Sequence, residues 1–257
     1  RGLGDVYKRQ RMYHQFKQLA GIDITAEPME VGPTTHYVMG GVRVDADSQM
    51  SAVPGLFAAG EVAGGLHGAN RLGGNSLSDL VVFGKRAGEF AAKFASENPD
   101  GVIAQEQLDI VAKMALEPLE RQGVGDGPFQ LQYELQEMMQ SQVGIVRNDA
   151  ELRQALGELE RLAERVKQVQ TPGNREYNSG WHTALDLRNL MPVAEAVTRA
   201  AIERKESRGA HARTDMPDRD DKNWLKHVLV YKENDDAYRV DYLPVVITQW
   251  KPEERKY

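Results

Sequence analysis

The chain has 257 residues, 41% hydrophobic and 27% charged, with a net charge of −6, which allows a sizeable core in one or two domains. The mild acidity argues against nucleic acid as the main partner, because no basic face offsets it. No apolar run approaches the ~20 residues of a membrane span. The lack of cysteine removes disulfides, thiolate metal sites and a Cys nucleophile, and is compatible with a reducing cytosol.

Residues 1–10 (RGLGDVYKRQ) share no pattern with the rest of the chain and resemble translated adaptor sequence. They read as a non-native leader ahead of the C-terminal part of a longer protein. Met12, Phe16 and Leu19 then predict a short helix over Arg11–Leu19. Ile22–Met29 and Thr34–Val38 read as extended segments, Gly40–Val44 alternates like a strand, and Asp45–Ser48 reads as a turn. Leu56–Ala59 has the look of a buried strand ending at Gly60-Glu61. Asn75 or Ser76 is the expected N-cap of a helix to about Phe94, with Leu77, Leu80, Val81 and Gly84 on one face.

Beyond a boundary near residue 100 the pattern becomes helical. Gln105–Met114 and Pro128–Gln142 are amphipathic, and Asn148 with Glu151 forms a capping pattern for a helix to about Val169. Thr171-Pro172-Gly173 ends it. A last helix is expected over Gly180–Arg208, kinked or divided at Pro192. After a polar loop, Leu225–Tyr231 and Tyr238–Ile247 read as two strands around a Glu233–Asp236 turn. These elements predict an α+β chain with segments 11–100, 101–208 (a small helical bundle) and 209–257 (a tail with two strands).

Eleven of the 24 glycines fall between Gly40 and Gly88, too dense for turns alone. Glycine is needed where backbone passes close to a ligand, so this stretch reads as a cofactor cradle. Glu61, at the carboxyl end of the expected strand, could accept hydrogen bonds from sugar or ribityl hydroxyls, or simply close a turn. The helix start at Asn75-Ser76-Leu77 favours negative charge, such as the N1–C2=O edge of a reduced flavin, or is merely a capped end. An Arg in a glycine-lined loop can fork onto a carboxylate, which suits Arg71, and His36 could donate to the same anion, with His67 a further candidate near the cradle.

Three runs then carry a resemblance: T-x-H-Y-x-M-G-G ending at Gly41, G-L-F-A-A-G-E (Gly55–Glu61) and H-G-A-N-R-L-G-G-N-S-L (His67–Leu77). With N-x-G-W-H-x-A-L-D-L-R-N (Asn178–Asn189) and E-S-R-G-A-H-x-R-x-D (Glu206–Asp215), they resemble the flavoprotein subunit of succinate dehydrogenase and fumarate reductase. The resemblance covers nearly everything after Gln10. It implies FAD as cofactor and interconversion of succinate and fumarate, with hydride passing between the substrate and flavin N5. His36 and Arg71 match positions binding a carboxylate of the C4 dicarboxylate. Glu61, Ser76 and Leu77 match FAD-contacting positions, with Asn75 beside them, and Arg71 borders the flavin as well.

By the same resemblance, residues 11–100 are the C-terminal part of an FAD-binding domain. The proton-transferring Arg of the family's capping domain, the dinucleotide fingerprint and the His that covalently holds the flavin match nothing in this chain. No catalytic residue in the strict sense is therefore expected here, and the fragment by itself is expected to be inactive. The implied partners are an iron–sulfur subunit and, through it, a membrane anchor, with a cytoplasmic location at the inner face of the membrane. Two alternatives stay open. L-aspartate oxidase carries similar motifs but tends to have Cys at the position of Met39 and a shorter segment after Ser207. A non-catalytic, partner-binding fragment is the other. Arg208, His211 and Arg213 either form a second anion site or hydrogen-bond the carbonyls of the preceding helix end.

Overall fold

The computed structural model describes residues 3–30, 32, 36–121, 125–234 and 237–252. They fall in two compact units, Arg1–His36 and Tyr37–Tyr257. In the first unit α1 spans Leu3–Leu19, so the helix expected from Arg11 begins at Leu3. Ile22–Met29 is not extended but turns at Asp23, whose carbonyl accepts from the N–H groups of Ala26 and Glu27, both at 2.9 Å. The Asp23 carboxylate also accepts from the Thr25 N–H at 3.0 Å, the side-chain turn for which Asp is suited. Hydrogen bonds from Thr25 and Lys17 hold its carboxyl down at about 2. Thr34 and Thr35, part of an expected extended segment, lie outside the described residues.

In the second unit the glycine-rich segment is held by single bridges: Val42 with Ala63 in parallel, Val44 with Ser51 and Met50 with Phe57 antiparallel. Asp45 Oδ1 accepts from the N–H groups of Asp47 and Ser48 at 3.2 and 2.9 Å, which makes the turn expected there. Leu56–Ala59 is not a buried strand. Phe57 pairs at one position, Ala58 is buried and Leu56 is exposed, because among the described residues no strand lies along it. At Gly41 a Cβ would sit 2.3 Å from the Val62 carbonyl oxygen, so only glycine permits the approach in which Val42 N–H donates to that oxygen at 2.7 Å.

A 3₁₀ turn over Gly60–Val62 leads through the glycine loop to α2 (Asn75–Glu97). Its cap is Gly74, in the left-handed region at φ 87°, rather than Asn75 or Ser76. The Ser76 hydroxyl is instead taken by Arg71. The stripe Leu77, Leu80, Val81 and Gly84, expected on one face of this helix, is exposed.

α3 (Gln105–Glu120) runs past the expected end at Met114 and through Pro118, whose carbonyl accepts from Thr171 N–H at 2.8 Å. α4 (Pro128–Gln142), α5 (Asp149–Val166) and α6 (Ser179–Glu203) pack on one another and contain the core. Leu131, Leu152, Ala155, Ala184 and Leu187 are completely buried there, at the 3–4 spacing of amphipathic helices. Asn148 Oδ1 caps α5 by accepting from Glu151 N–H at 2.9 Å. α6 remains one helix through Pro192 and ends at Glu203, not Arg208, because the Arg213 guanidinium donates to the Ala201 carbonyl at 3.1 Å and closes the terminus.

Two short strands, β1 (Val146–Arg147) and β2 (Ala212–Arg213), pair in parallel. After α7 (Asp221–Trp224) the tail forms an antiparallel pair, β3 (Lys226–Lys232) and β4 (Tyr238–Pro244), in register from Lys226 opposite Pro244 to Lys232 opposite Tyr238. Residues 235–236 of the expected turn and 253–257 of the tail lie outside the described residues. The arrangement is α+β.

Candidate functional site

The site grows from Arg71, which follows the turn over residues 66–69. Its backbone N–H donates to Met39 Sδ at 3.2 Å and its Nη1 donates to Ser76 Oγ at 3.3 Å. The guanidinium lies over the Tyr37 ring, 4.6 Å from the centroid, a cation–π arrangement that orients a planar cation without neutralising it. Arg71 Nε is buried without a hydrogen-bond partner, and among the described residues no carboxylate pairs with the guanidinium. Other arginines of the unit are already committed: Arg204 and Arg208 pair with Glu206, and Arg213 pairs with Asp215. A held, partly buried arginine with donors to spare has the chemistry to receive an anion.

Beneath it is Asp79, 4% exposed, on the second turn of α2. Its Oδ2 accepts from the Tyr37 hydroxyl at 3.3 Å and lies 3.3 Å from His67 Nε2. The Tyr37 and His67 rings meet edge to face, with centroids 5.4 Å apart. Burial, reinforced by the Asp79 carboxylate, pushes the Tyr37 phenol up, so it stays protonated and donates. The N-terminus of α2 carries no side-chain cap and no acid in its first turn, leaving the positive dipole end of a 23-residue helix free for negative charge.

Arg71 and Ser76 are thus brought together, and Asn75 and Leu77 flank Ser76, both exposed, in the first turn of α2. Glu61 sits in the 3₁₀ turn rather than at the end of a strand, with Oε1 accepting from Val38 N–H at 3.0 Å. His36 is exposed and closes the first compact unit. Sequence reasoning gives no part in the site to Tyr37 and Met39, which contact Arg71, or to Asp79, which receives the Tyr37 hydroxyl. Forty-two residues separate Tyr37 from Asp79, beyond any helical or strand spacing. The one signal that could have found them is a lone acid in the apolar run Leu77–Phe83.

The second anion site considered at Ser207–Arg213 does not form, because its cations are engaged. His211 and Arg213 reach carbonyls of the α6 end, at Arg204 and Ala201, as the structural alternative expected. Arg208 binds Glu206 and Asp221 instead. The same strap abuts the glycine loop: Ala210 N–H donates to the Ala69 carbonyl at 2.9 Å, and Gly209, at φ 60°, would place a Cβ 2.5 Å from that oxygen. Among the described residues no cluster could hold a metal ion, and no helix is long and apolar enough to cross a membrane.

The buried, unpartnered Arg71 Nε, the uncapped α2 terminus and the glycine-lined approach to it fit a flavin with a negatively charged edge. A family profile described as an FAD binding domain matches residues 6–77, and one described as the fumarate reductase flavoprotein C-terminal region matches residues 132–257. The two matches define the chain as part of an FAD-binding flavoprotein. The fumarate reductase flavoprotein subunit of Haemophilus influenzae is 40% identical over all of this chain and 44% of its own length. The succinate dehydrogenase flavoprotein subunit of Coxiella burnetii is 38% identical over 98% of this chain and 46% of its own. The Mycobacterium smegmatis Sdh1 complex in the apo form superposes with a TM-score of 0.83 at 46% identity, covering 91% of this chain and 40% of the other. The chain belongs to the flavoprotein-subunit family of fumarate reductase and succinate dehydrogenase. It spans less than half the length of the curated relatives it matches.

Proposed function

We propose that the whole protein interconverts succinate and fumarate, and that Arg71 is the clamp for one carboxylate of the C4 acid. The carrying observation is the state of Arg71: stacked on Tyr37, tied to Ser76 and unpaired with any described carboxylate. A guanidinium in that state binds a carboxylate by two charge-assisted hydrogen bonds, with its orientation already set. His36 is proposed as a second donor to the dicarboxylate. Glu61, Asn75, Ser76 and Leu77, with Arg71, are proposed to hold FAD, the α2 terminus facing its negative edge. Bound FAD supplies the two-electron chemistry, hydride exchange at N5 with the central carbons of the acid.

The same reading takes residues 11–100 as the C-terminal part of an FAD-binding domain, 101–208 as a helical domain and 209–257 as a tail. It takes an iron–sulfur subunit as electron partner and, through it, a membrane anchor, which puts the protein at the inner face of the membrane. The names of the relatives favour it over L-aspartate oxidase. The test is succinate-dependent dye reduction by the full-length protein and its Arg71→Ala form. Loss of two charge-assisted bonds should lower kcat/KM for succinate by about 100-fold or more. Unchanged turnover in Arg71→Ala, or oxidation of L-aspartate by the full-length protein, would sink the reading.

A further inference from the structure

Asp79 has no place in the contacts proposed for substrate or cofactor, yet it is the most buried carboxylate near the site. Its Oδ2 receives both the Tyr37 hydroxyl and His67 Nε2. A carboxylate taken out of water persists only where its acceptors are used, and here both partners come from the two segments that flank Arg71. Tyr37 lies two residues before Met39, whose sulfur accepts from Arg71 N–H, and its ring carries the guanidinium. His67 lies in the turn over residues 66–69 that precedes Arg71 and packs edge-on against the same ring. One buried oxygen on α2 therefore fixes the platform on which the arginine rests and the loop that delivers it.

We propose that Asp79 is a positioning residue for the dicarboxylate clamp: anchored in α2, it holds Tyr37 and His67 so that the Arg71 guanidinium is presented in one orientation. This rests on the reading of Arg71 as the clamp. Asp79 touches neither substrate nor cofactor. Its effect is on the order already present in Arg71 before the anion arrives, which an arginine on a free loop would have to acquire on binding.

The experiment uses the full-length, FAD-loaded protein and malonate, a dicarboxylate without the CH2–CH2 unit that is oxidised, with binding read from the perturbation of flavin absorbance. Arg71→Ala is measured first, and a loss of malonate affinity establishes the clamp. Asp79→Asn, close in shape but uncharged, is expected to raise the malonate Kd about tenfold, and the succinate KM with it, while kcat stays within about twofold. Tyr37→Phe keeps the ring and loses the bond to Asp79. It is expected to raise Kd about threefold, and it carries the test if Asp79→Asn does not fold. Combined with Arg71→Ala, neither substitution should weaken binding further, since both act through the same guanidinium.

A Kd unchanged in the single variants, or losses that add fully to that of Arg71→Ala, would overturn the positioning role while leaving the clamp intact. If Arg71→Ala itself binds malonate normally, the clamp reading falls and the positioning role falls with it.

Discussion

His211 shows how one side chain reports its surroundings. Arg147 Nη1, a permanent donor, lies 2.9 Å from His211 Nδ1, so that nitrogen accepts and the proton sits on Nε2, which donates to the Arg204 carbonyl at 3.2 Å. Burial first, then the Arg147 guanidinium, lowers the imidazole pKa to about 4. The folded form excludes a proton that the unfolded chain accepts near 6.5. The contribution of His211 to stability is thus complete above about pH 6.5 and is lost as pH falls towards about 4. Urea midpoints measured at about pH 7 and about pH 5 should drop for the native chain and drop less for His211→Gln. His227, also lowered by burial, leaves a residual slope. Equal slopes in the two proteins would contradict this account. Asp215 does not interfere in that window, because its bonds from Arg213 hold its carboxyl well below the usual range.

The long helices α2 and α5 differ at their starts, and the difference matches what each does. α5 is closed by Asn148, whose side chain takes the Glu151 N–H, with Asp149 and Glu151 in its first turn. Removing that cap by Asn148→Ala should cost about 1 kcal/mol, seen as a lower unfolding midpoint with an unchanged denaturant slope. No measurable shift would mean that packing alone holds the end. α2 has neither a capping side chain nor an acid at its start, and its serine is turned towards Arg71. An uncapped terminus is a local instability that a bound anion would relieve, so the same sequence signal, Asn-Ser before an apolar run, reads as a structural cap in the sequence and leaves an open helix end in the fold.

Among the described residues the completely buried apolar side chains belong to the α4–α5–α6 bundle, whereas Leu56, Leu77, Leu80 and Val81 in the glycine-rich region are exposed. Stability is therefore unevenly distributed. Amide exchange of the 257-residue chain should be slow at Leu152–Leu162 and Leu187–Ala194 and fast at Leu56–Ala59; native-like protection in the latter would refute this. The bundle was legible in sequence because its information is local: apolar residues at helical spacing, Asn148 three residues before Glu151, Pro128 opening a helix, and Gly173 closing a loop. The family was legible because its motifs are contiguous runs, and Arg71, Ser76 and Glu61 stand inside them. Leu56–Ala59 misled, since a short apolar run encodes a wish for burial but not the strand that would bury it. The Asp79–Tyr37–His67–Arg71 cluster was not legible, because its partners meet only through the turn that folds residues 37–42 against 62–71. Local propensity and motif identity are properties of the sequence by itself. Which side chains the buried Asp79 carboxylate receives was decided only when distant segments were brought within hydrogen-bonding reach.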